Sequence, residues 1–247
     1  RKKGVDKKMI IILFAVLAYL IPNVILFVKW TRFMAPILPF FALFAVYAIY
    51  LIDRKRGIFS KFVVPTLIVV FITTSTIWEL MFFSIYKKPD VRISSTKWIN
   101  LNISQNSNIL TEEGNTLEVP LTLGYNKRVF NFYNLDQSME KDNLSQLLLT
   151  TDYFIVQSRR VFVNHQRLSK DFPEVSNFYN KLFSQELGFE KVKEFTSFPV
   201  LSIGPLKFEI DDELAEETWS VFDHPVIRIY KKTSPLTEID YQRLLNN

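Results

Sequence analysis

The stretch MIIILFAVLAYLIPNVILFV, Met9 to Val28, holds 20 consecutive residues without a charge. That is the length a helix needs to cross about 30 Å of hydrocarbon, so it reads as a transmembrane helix. A signal peptide would end in a small-residue cleavage site followed by a mature domain. Here a second apolar run, Ala35 to Ile52, follows within seven residues. A third run, Phe62 to about Phe83, is interrupted only by Glu79 and is long enough to span with tilt.

Outside these runs the 247-residue chain changes character near Lys87. Residues 1–86 carry 11 Lys and Arg against 3 Asp and Glu, whereas residues 87–247 carry 19 against 22. The overall net charge of +5 is therefore a membrane-flank signal, and a nucleic-acid partner is not expected. A chain that is 48% hydrophobic, with 23 Phe, has ample surface to bury, which excludes disorder. The absence of Cys excludes a disulfide scaffold and thiol chemistry, and is compatible with export.

Orientation follows from the short loops, because Lys and Arg stay on the cytoplasmic side. Arg1, Lys2, Lys3, Lys7 and Lys8 precede the first span, and Arg54, Lys55, Arg56 and Lys61 fill the second loop, while the first loop has only Lys29 and Arg32. These counts predict a multi-pass protein of the cell membrane with a cytoplasmic amino end. Residues 1–86 form its transmembrane region, with spans at about 9–28, 35–52 and 62–83, and residues 87–247 form an extracytoplasmic domain. Within the spans, Pro22 and Asn23 suggest a kink with an amide available to a neighbouring helix. The run Thr73 to Thr76 suggests a helix–helix contact. Glu79 is costly in lipid unless it faces water, a partner or the headgroups, and is a candidate on the substrate side.

The loop FVKWTRFMAPILPF, Phe27 to Phe40, sets Lys29 and Arg32 three residues apart at the outer surface, beside Trp30 and Phe33. Arg offers a planar fork and Lys a compact charge, a pair suited to a lipid phosphate. Snorkelling cations beside an aromatic belt are the ordinary alternative.

Beyond Lys87, short apolar runs alternate with amphipathic stretches. Ser94–Ile103 reads as a helix capped by Ser94 or Ser95, NILTEE (108–113) as a strand, Leu117–Leu123 as a helix and RVFNFYNL (128–135) as a strand. Asn143–Thr150 reads as a helix leading into the buried strand YFIVQS (153–158), and Phe172–Leu187 as an amphipathic helix ended by Gly188. KVKEFTSF (191–198), an acidic turn or short helix at Asp211–Glu217, and the strand PVIRIYKK (225–232) complete the pattern. Helices alternating with strands predict one compact α/β domain.

No phosphate-binding glycine loop, nucleophile elbow or metal-ligand spacing occurs in it, so no metal or cofactor is assigned. His165 and His224 read as structural or surface residues. Glu112 and Glu113 form the best carboxylate pair, substrate-facing or merely a solvated strand end. Arg159–Arg160 reads as a solvated loop or a contact to anionic glycan or lipid.

The segment Lys29, Arg32, Phe33, Pro36, Pro39 resembles a K-x-x-R-[FY]-x-x-P-x-x-P stretch between two late spans of GT-C glycosyltransferases of the protein O-mannosyltransferase and lipid A aminoarabinose transferase type. WINLNISQNSNILTEE is similar to the segment after the last span of such enzymes. Tyr179, Leu182, Phe183, Leu187, Gly188 and Phe189, then AEETWSVFDHP (215–225), resemble the closing part of predicted membrane transferases of that type.

The resemblance implies transfer of a sugar from a polyprenyl-phosphate donor to a hydroxyl of a protein, lipid or glycan acceptor on the outer face. It implies a general-base carboxylate in an acidic loop near the amino end, which this chain does not contain. It gives Arg32, then Lys29, the role of stabilising the leaving lipid phosphate. With three spans, the chain reads as the carboxy-terminal fragment of a longer enzyme, without transferase activity alone. The competing expectation is a non-enzymatic membrane-anchored module whose exported α/β domain binds glycan or protein.

Overall fold

The computed structural model describes residues 6–25, 31–54, 58–113, 118–137 and 139–246. It divides into two compact units, Arg1–Leu80 and Met81–Asn247.

The first unit is built from α1 (Lys7–Ile25), α2 (Leu38–Asp53) and most of α3 (Ile58–Phe83). With the 3-10 turn Ala35–Ile37 that leads into α2, these three helices are long and apolar enough to cross a membrane. Pro36 and Pro39 fall in the opening turns of those two segments, where a missing N–H costs nothing. Pro22 lies inside α1. The Asn23 amide does not reach across to a neighbouring helix but donates to the Tyr19 carbonyl of its own helix, 2.8 Å away. Thr74 behaves similarly, donating to Val70 and Phe71 carbonyls at 2.8 and 3.1 Å. Thr73 and Thr76 beside it are exposed rather than packed. Local carbonyls one turn back satisfy these groups, which is why no second helix is needed. Most large apolar side chains of the unit, such as Phe14, Phe62 and Phe71, lie at its surface.

The second unit is an α/β domain. Its elements are α4 (Val91–Asn102), β1 (Asn108–Glu112), β2 (Asn126–Phe130), α5 (Glu140–Thr150), β3 (Tyr153–Val156), α6 (Arg160–Arg167), α7 (Pro173–Phe183) and β4 (Phe189–Phe195). A hairpin of β5 (Val200–Ile203) and β6 (Leu206–Glu209) follows, then α8 (Glu217–Ser220), β7 (Ile227–Lys232) and α9 (Glu238–Asn246). The sheet order is β2-β1-β3-β7-β4. β1 is parallel to β2 and β3, and β7 is antiparallel to β3 and β4.

Alternation along the strands sends side chains to two cores. Leu110, Phe154 and Tyr230 pack with Leu144, Leu148, Phe178, Tyr179 and Tyr241 from α5, α7 and α9. Ile109, Ile155 and Ile229 face Val91 and Ile99 of α4. Covered on both sides, β3 tolerates no polar residue, hence the unbroken Tyr-Phe-Ile-Val. Aromatic stacking thickens the first core: Phe132 lies 4.8 Å from both Phe130 and Phe178.

Several boundaries differ from the sequence expectation. Asp90 rather than Ser94 or Ser95 caps α4, its carboxylate accepting from the Arg92 amide at 2.7 Å. No helix forms over residues 118–123; the Val119 amide instead donates to Gln157 Oε1 at 2.7 Å, and Pro120 follows it. The expected strand 128–135 stops at Phe130, because Asn131 turns the chain by accepting from the Tyr133 amide. Helix α7 stops at Phe183 rather than Leu187, and Gln185 (φ 69°) and Gly188 (φ 74°) reverse the chain. The hairpin, α6 and α9 were not expected.

Gly188 is confined twice over. A Cβ there would sit 2.1 Å from the Ser234 carbonyl oxygen, on a backbone already left-handed. The Gly188 carbonyl also accepts from the amides of Thr233 and Ser234. Gly188→Ala is expected to destabilise the protein by about 2 kcal/mol or more in denaturant unfolding of the detergent-solubilised chain.

Candidate functional site

From β1 the chain runs to β2 on one side, then crosses to β3 on the other. Such a reversal opens a crevice at the carboxyl ends of the parallel strands, where ligands of open α/β sheets bind. In this domain the residues at that crevice are polar and charged.

Glu112 ends β1 with no exposed surface. Its carboxylate accepts from the Gln157 amide at 3.0 Å and from the Tyr179 hydroxyl. The Gln157 side chain donates back to the Glu112 carbonyl at 3.0 Å. The solvated strand end envisaged for Glu112 and Glu113 is thus corrected: Glu112 is sealed by Gln157 and Tyr179, and only Glu113 faces water. Burial, then the Glu112 charge and hydrogen bond, push the Tyr179 phenol well above the ordinary tyrosine value.

Arg159 and Arg160 are not a solvated loop either. Arg159 is buried; its Nε donates to Ser220 Oγ at 3.0 Å and its guanidinium to the Ala215 carbonyl. Burial lowers its pKa from the usual value while Glu217, Glu213 and Glu216 oppose the shift. Arg160 opens α6 and lies 3.9 Å from Glu217, which also accepts from Asn164 Nδ2 at 2.7 Å. Tyr133 stands over the same group. Burial raises its phenol, the Arg160 charge and hydrogen bond pull it down, and Glu217 and Glu112 raise it further. Tyr133, Arg160, Asn164 and Glu217 therefore bring a hydroxyl, a guanidinium, an amide and a carboxylate together at this end of the sheet, each of them partly exposed. Donors and acceptors are both present among them, the mixture that the hydroxyls of a sugar can engage.

The segment between β6 and β7 closes this end of the sheet. Arg228 makes two bonds of 2.7 and 2.6 Å to Glu213 and a third ion pair of 3.1 Å to Glu194. Burial works against its charge, yet Glu213 and Glu194 outweigh it and hold the pKa up. His224 is buried between Asp212 at 3.1 Å and Asp223 at 2.8 Å, and both ring nitrogens donate when the ring is cationic. Asp212 also accepts from Trp219 Nε1 at 2.6 Å, and Asp223 from the Tyr86 hydroxyl at 2.9 Å. The Arg92 guanidinium grips the carbonyls of Phe222 and Val221 at 2.8 and 3.3 Å. These bonds explain the composition of AEETWSVFDHP: most of its polar side chains hold the segment rather than face a substrate. Beside it lies an open cleft of about 320 Å³, lined by Phe162, Phe183, Gln185, Lys191, Glu213 and Arg228 among others.

Among the other expected residues, Lys29 lies outside the described residues. Arg32 is exposed in the 3-10 turn Thr31–Phe33, its guanidinium 5.5 Å from the Phe33 ring centre. The Tyr19 hydroxyl donates to the Phe33 carbonyl at 2.8 Å and fixes that turn to α1. Glu79 is exposed on α3. Among the described residues, no group of three or more His, Asp and Glu is arranged to hold a metal ion. Sequence reasoning found Glu112 and Arg160 but missed Tyr133, Asn164 and Glu217. For Asn164 the signal was α6, whose polar run hides a buried Val161, Phe162 and His165, and Glu217 stood in AEETWSVFDHP without a role.

Tyr179→Phe removes one of the donors that compensate a fully buried carboxylate, and is expected to cost about 1–3 kcal/mol in chemical denaturation. The sign with pH follows from the raised phenol. Its contribution is complete below the ordinary value of 10 and is lost as pH rises toward the folded-state value. The variant's stability should therefore fall less steeply above pH 10 than that of the parent. Comparison with protein-family models, characterised proteins and solved structures finds no match to this chain.

Proposed function

We propose that this chain supplies membrane spans and the exported domain of a glycosyltransferase that moves a sugar from a polyprenyl-phosphate donor to an acceptor hydroxyl on the outer face of the membrane. The observation that carries the reading is the Arg32 turn. It joins two helices apolar enough to span a bilayer, lies within a K-x-x-R-F-x-x-P-x-x-P sequence, and exposes its guanidinium. In this reading α1, α2 and α3 cross the bilayer with the amino end in the cytoplasm, so the turn lies at the outer surface.

The chemistry follows from charge. Departure of the lipid phosphate builds negative charge on its oxygens, and a guanidinium already aimed there lowers the barrier more than it strengthens substrate binding. Arg32 supplies the fork, with Lys29 beside it in sequence. The exported domain presents Tyr133, Arg160, Asn164 and Glu217 to the hydroxyls of a sugar or glycosylated acceptor. Glu112 is too deeply sealed to take a proton from an acceptor, so its part is to hold Gln157 and Tyr179 beneath that crevice.

The test is transfer from a polyprenyl-phosphate sugar by the full-length protein in proteoliposomes. Arg32→Ala is expected to lower turnover by about a hundredfold with a smaller change in KM, and Arg32→Lys to restore part of the loss. Unchanged turnover in Arg32→Ala overturns the phosphate role. An intact protein that binds glycan without transferring it favours a membrane-anchored binding module instead.

A further inference from the structure

Among the described residues, the β5–β6 hairpin carries several large apolar side chains that are turned away from the cores of the second unit. The pairing is Val200 with Glu209, Leu201 with Phe208, Ser202 with Lys207 and Ile203 with Leu206. The Ile210 amide extends it by donating to the Pro199 carbonyl at 3.1 Å. Opposed residues in an antiparallel pair share a face, and faces alternate along each strand. One face is therefore Pro199, Leu201, Ile203, Leu206, Phe208 and Ile210, without a polar residue. The other is Val200, Ser202, Lys207 and Glu209, with Lys207 and Glu209 paired to each other. Pro199 at its root is buried and Leu201 half-buried, but beyond them the apolar face is open: Ile203 is 59% exposed, Leu206 60% and Phe208 55%. An isolated two-stranded hairpin is marginal in water, and a contiguous apolar face of this kind marks a surface that something covers.

Its root identifies the cover. The Val200 amide donates to Ser84 Oγ at 2.9 Å, and Ser84 directly follows Phe83, the last residue of α3. Exposed Tyr86, Lys87 and Lys88 come next, the residue types that anchor a span at the headgroup level. The hairpin is thus pinned to the point where the third apolar helix ends. Four residues per strand reach about 13 Å from that root, enough for a face to settle the 5–10 Å into the headgroup and acyl boundary typical of monotopic elements.

We infer that the β5–β6 hairpin is a membrane-interface anchor, lying with its Leu201–Ile203–Leu206–Phe208–Ile210 face in the outer leaflet and its Lys207–Glu209 face toward water. This rests on the proposed insertion of α3, and it explains why the most apolar segment between β4 and β7 is the one not folded into a core.

The chain has no Cys, so a single introduced thiol is a unique labelling site. Phe208→Cys, Lys207→Cys, Leu123→Cys and Val69→Cys are each labelled with a polarity-sensitive fluorophore. Leu123 is fully exposed on the loop before β2, at the opposite end of the sheet, and Val69 is exposed in the middle of α3. The labelled full chain is reconstituted into phosphatidylcholine–phosphatidylglycerol vesicles carrying a shallow nitroxide-labelled lipid. The expected result is a blue shift and loss of most fluorescence at 208, with little of either at 207 and 123. Quenching at 69 by a lipid labelled deep in the chain, with none at 208 by the shallow one, leaves the spanning helix in place and overturns the anchor. No quenching at 69 by a lipid labelled deep in the chain overturns the insertion of α3, and the anchor with it. A label at 208 that is blue-shifted but unquenched is covered by protein and also overturns the anchor.

Discussion

A carboxylate with none of its surface in water sits where β1, β3 and α7 meet, and the end of the sheet is organised by what that charge demands. Glu112 must find donors inside the protein, because a buried anion left without them costs several kcal/mol. It takes one from the backbone that leaves β3, at Gln157, and one from Tyr179 on α7. Gln157, held in place, then accepts from Val119 and donates to the Glu112 carbonyl. One charge thus fixes the exit of β1, the exit of β3, a helix and the loop that leads to β2. Replacing any single donor leaves the rest of the arrangement with an unpaired group, so the set stands or falls together.

The same logic governs the stretch between β6 and β7, whose carbonyls and carboxylates are held by buried and half-buried arginines. Arg92 takes its carbonyls, Arg159 takes Ala215 and Ser220, and Arg228 takes Glu213 and Glu194. Arginine suits this work because its fixed fork satisfies several acceptors at once and loses its hydration cheaply. The acidic stretch from Asp211 to Glu217 is therefore largely neutralised from within. What stays partly exposed at this end of the sheet is a short set of groups, Tyr133, Arg160, Asn164 and Glu217, each already braced by a neighbour.

The elements legible in the sequence were those whose pattern is decided by burial. β3 is an unbroken apolar run because both of its faces are covered, and α7 is amphipathic with Val175, Phe178, Tyr179 and Leu182 buried on one stripe. α6 escaped notice because its core contacts come from only three residues among charged ones. The hairpin escaped because Pro199 to Ile210 alternates as a half-buried strand does, yet its apolar face meets no core residue. Glu112 and Arg159 were read as solvated because sequence carries no sign of the distant partners, Tyr179 and Ser220, that make their burial affordable. Polar residues are the ones whose placement depends on what lies opposite, and that is settled only by the fold.

The distribution of charge also constrains how the α/β domain would rest on a membrane in the proposed arrangement. Residues 87–247 carry a small excess of acidic groups, and the arginines at the carboxyl end of the sheet are committed to internal carboxylates. With acidic groups in slight excess, net attraction of this unit to an anionic surface by charge is weak. Apolar area has to do that work. Ile203, Leu206, Phe208 and Ile210 are each roughly half exposed, and covering what remains of each contributes about 1 kcal/mol. A few kcal/mol is too little to hold a free domain at a surface but ample for one already tethered by a span, where the search is local. In the proposed arrangement the hairpin therefore orients the domain rather than recruits it.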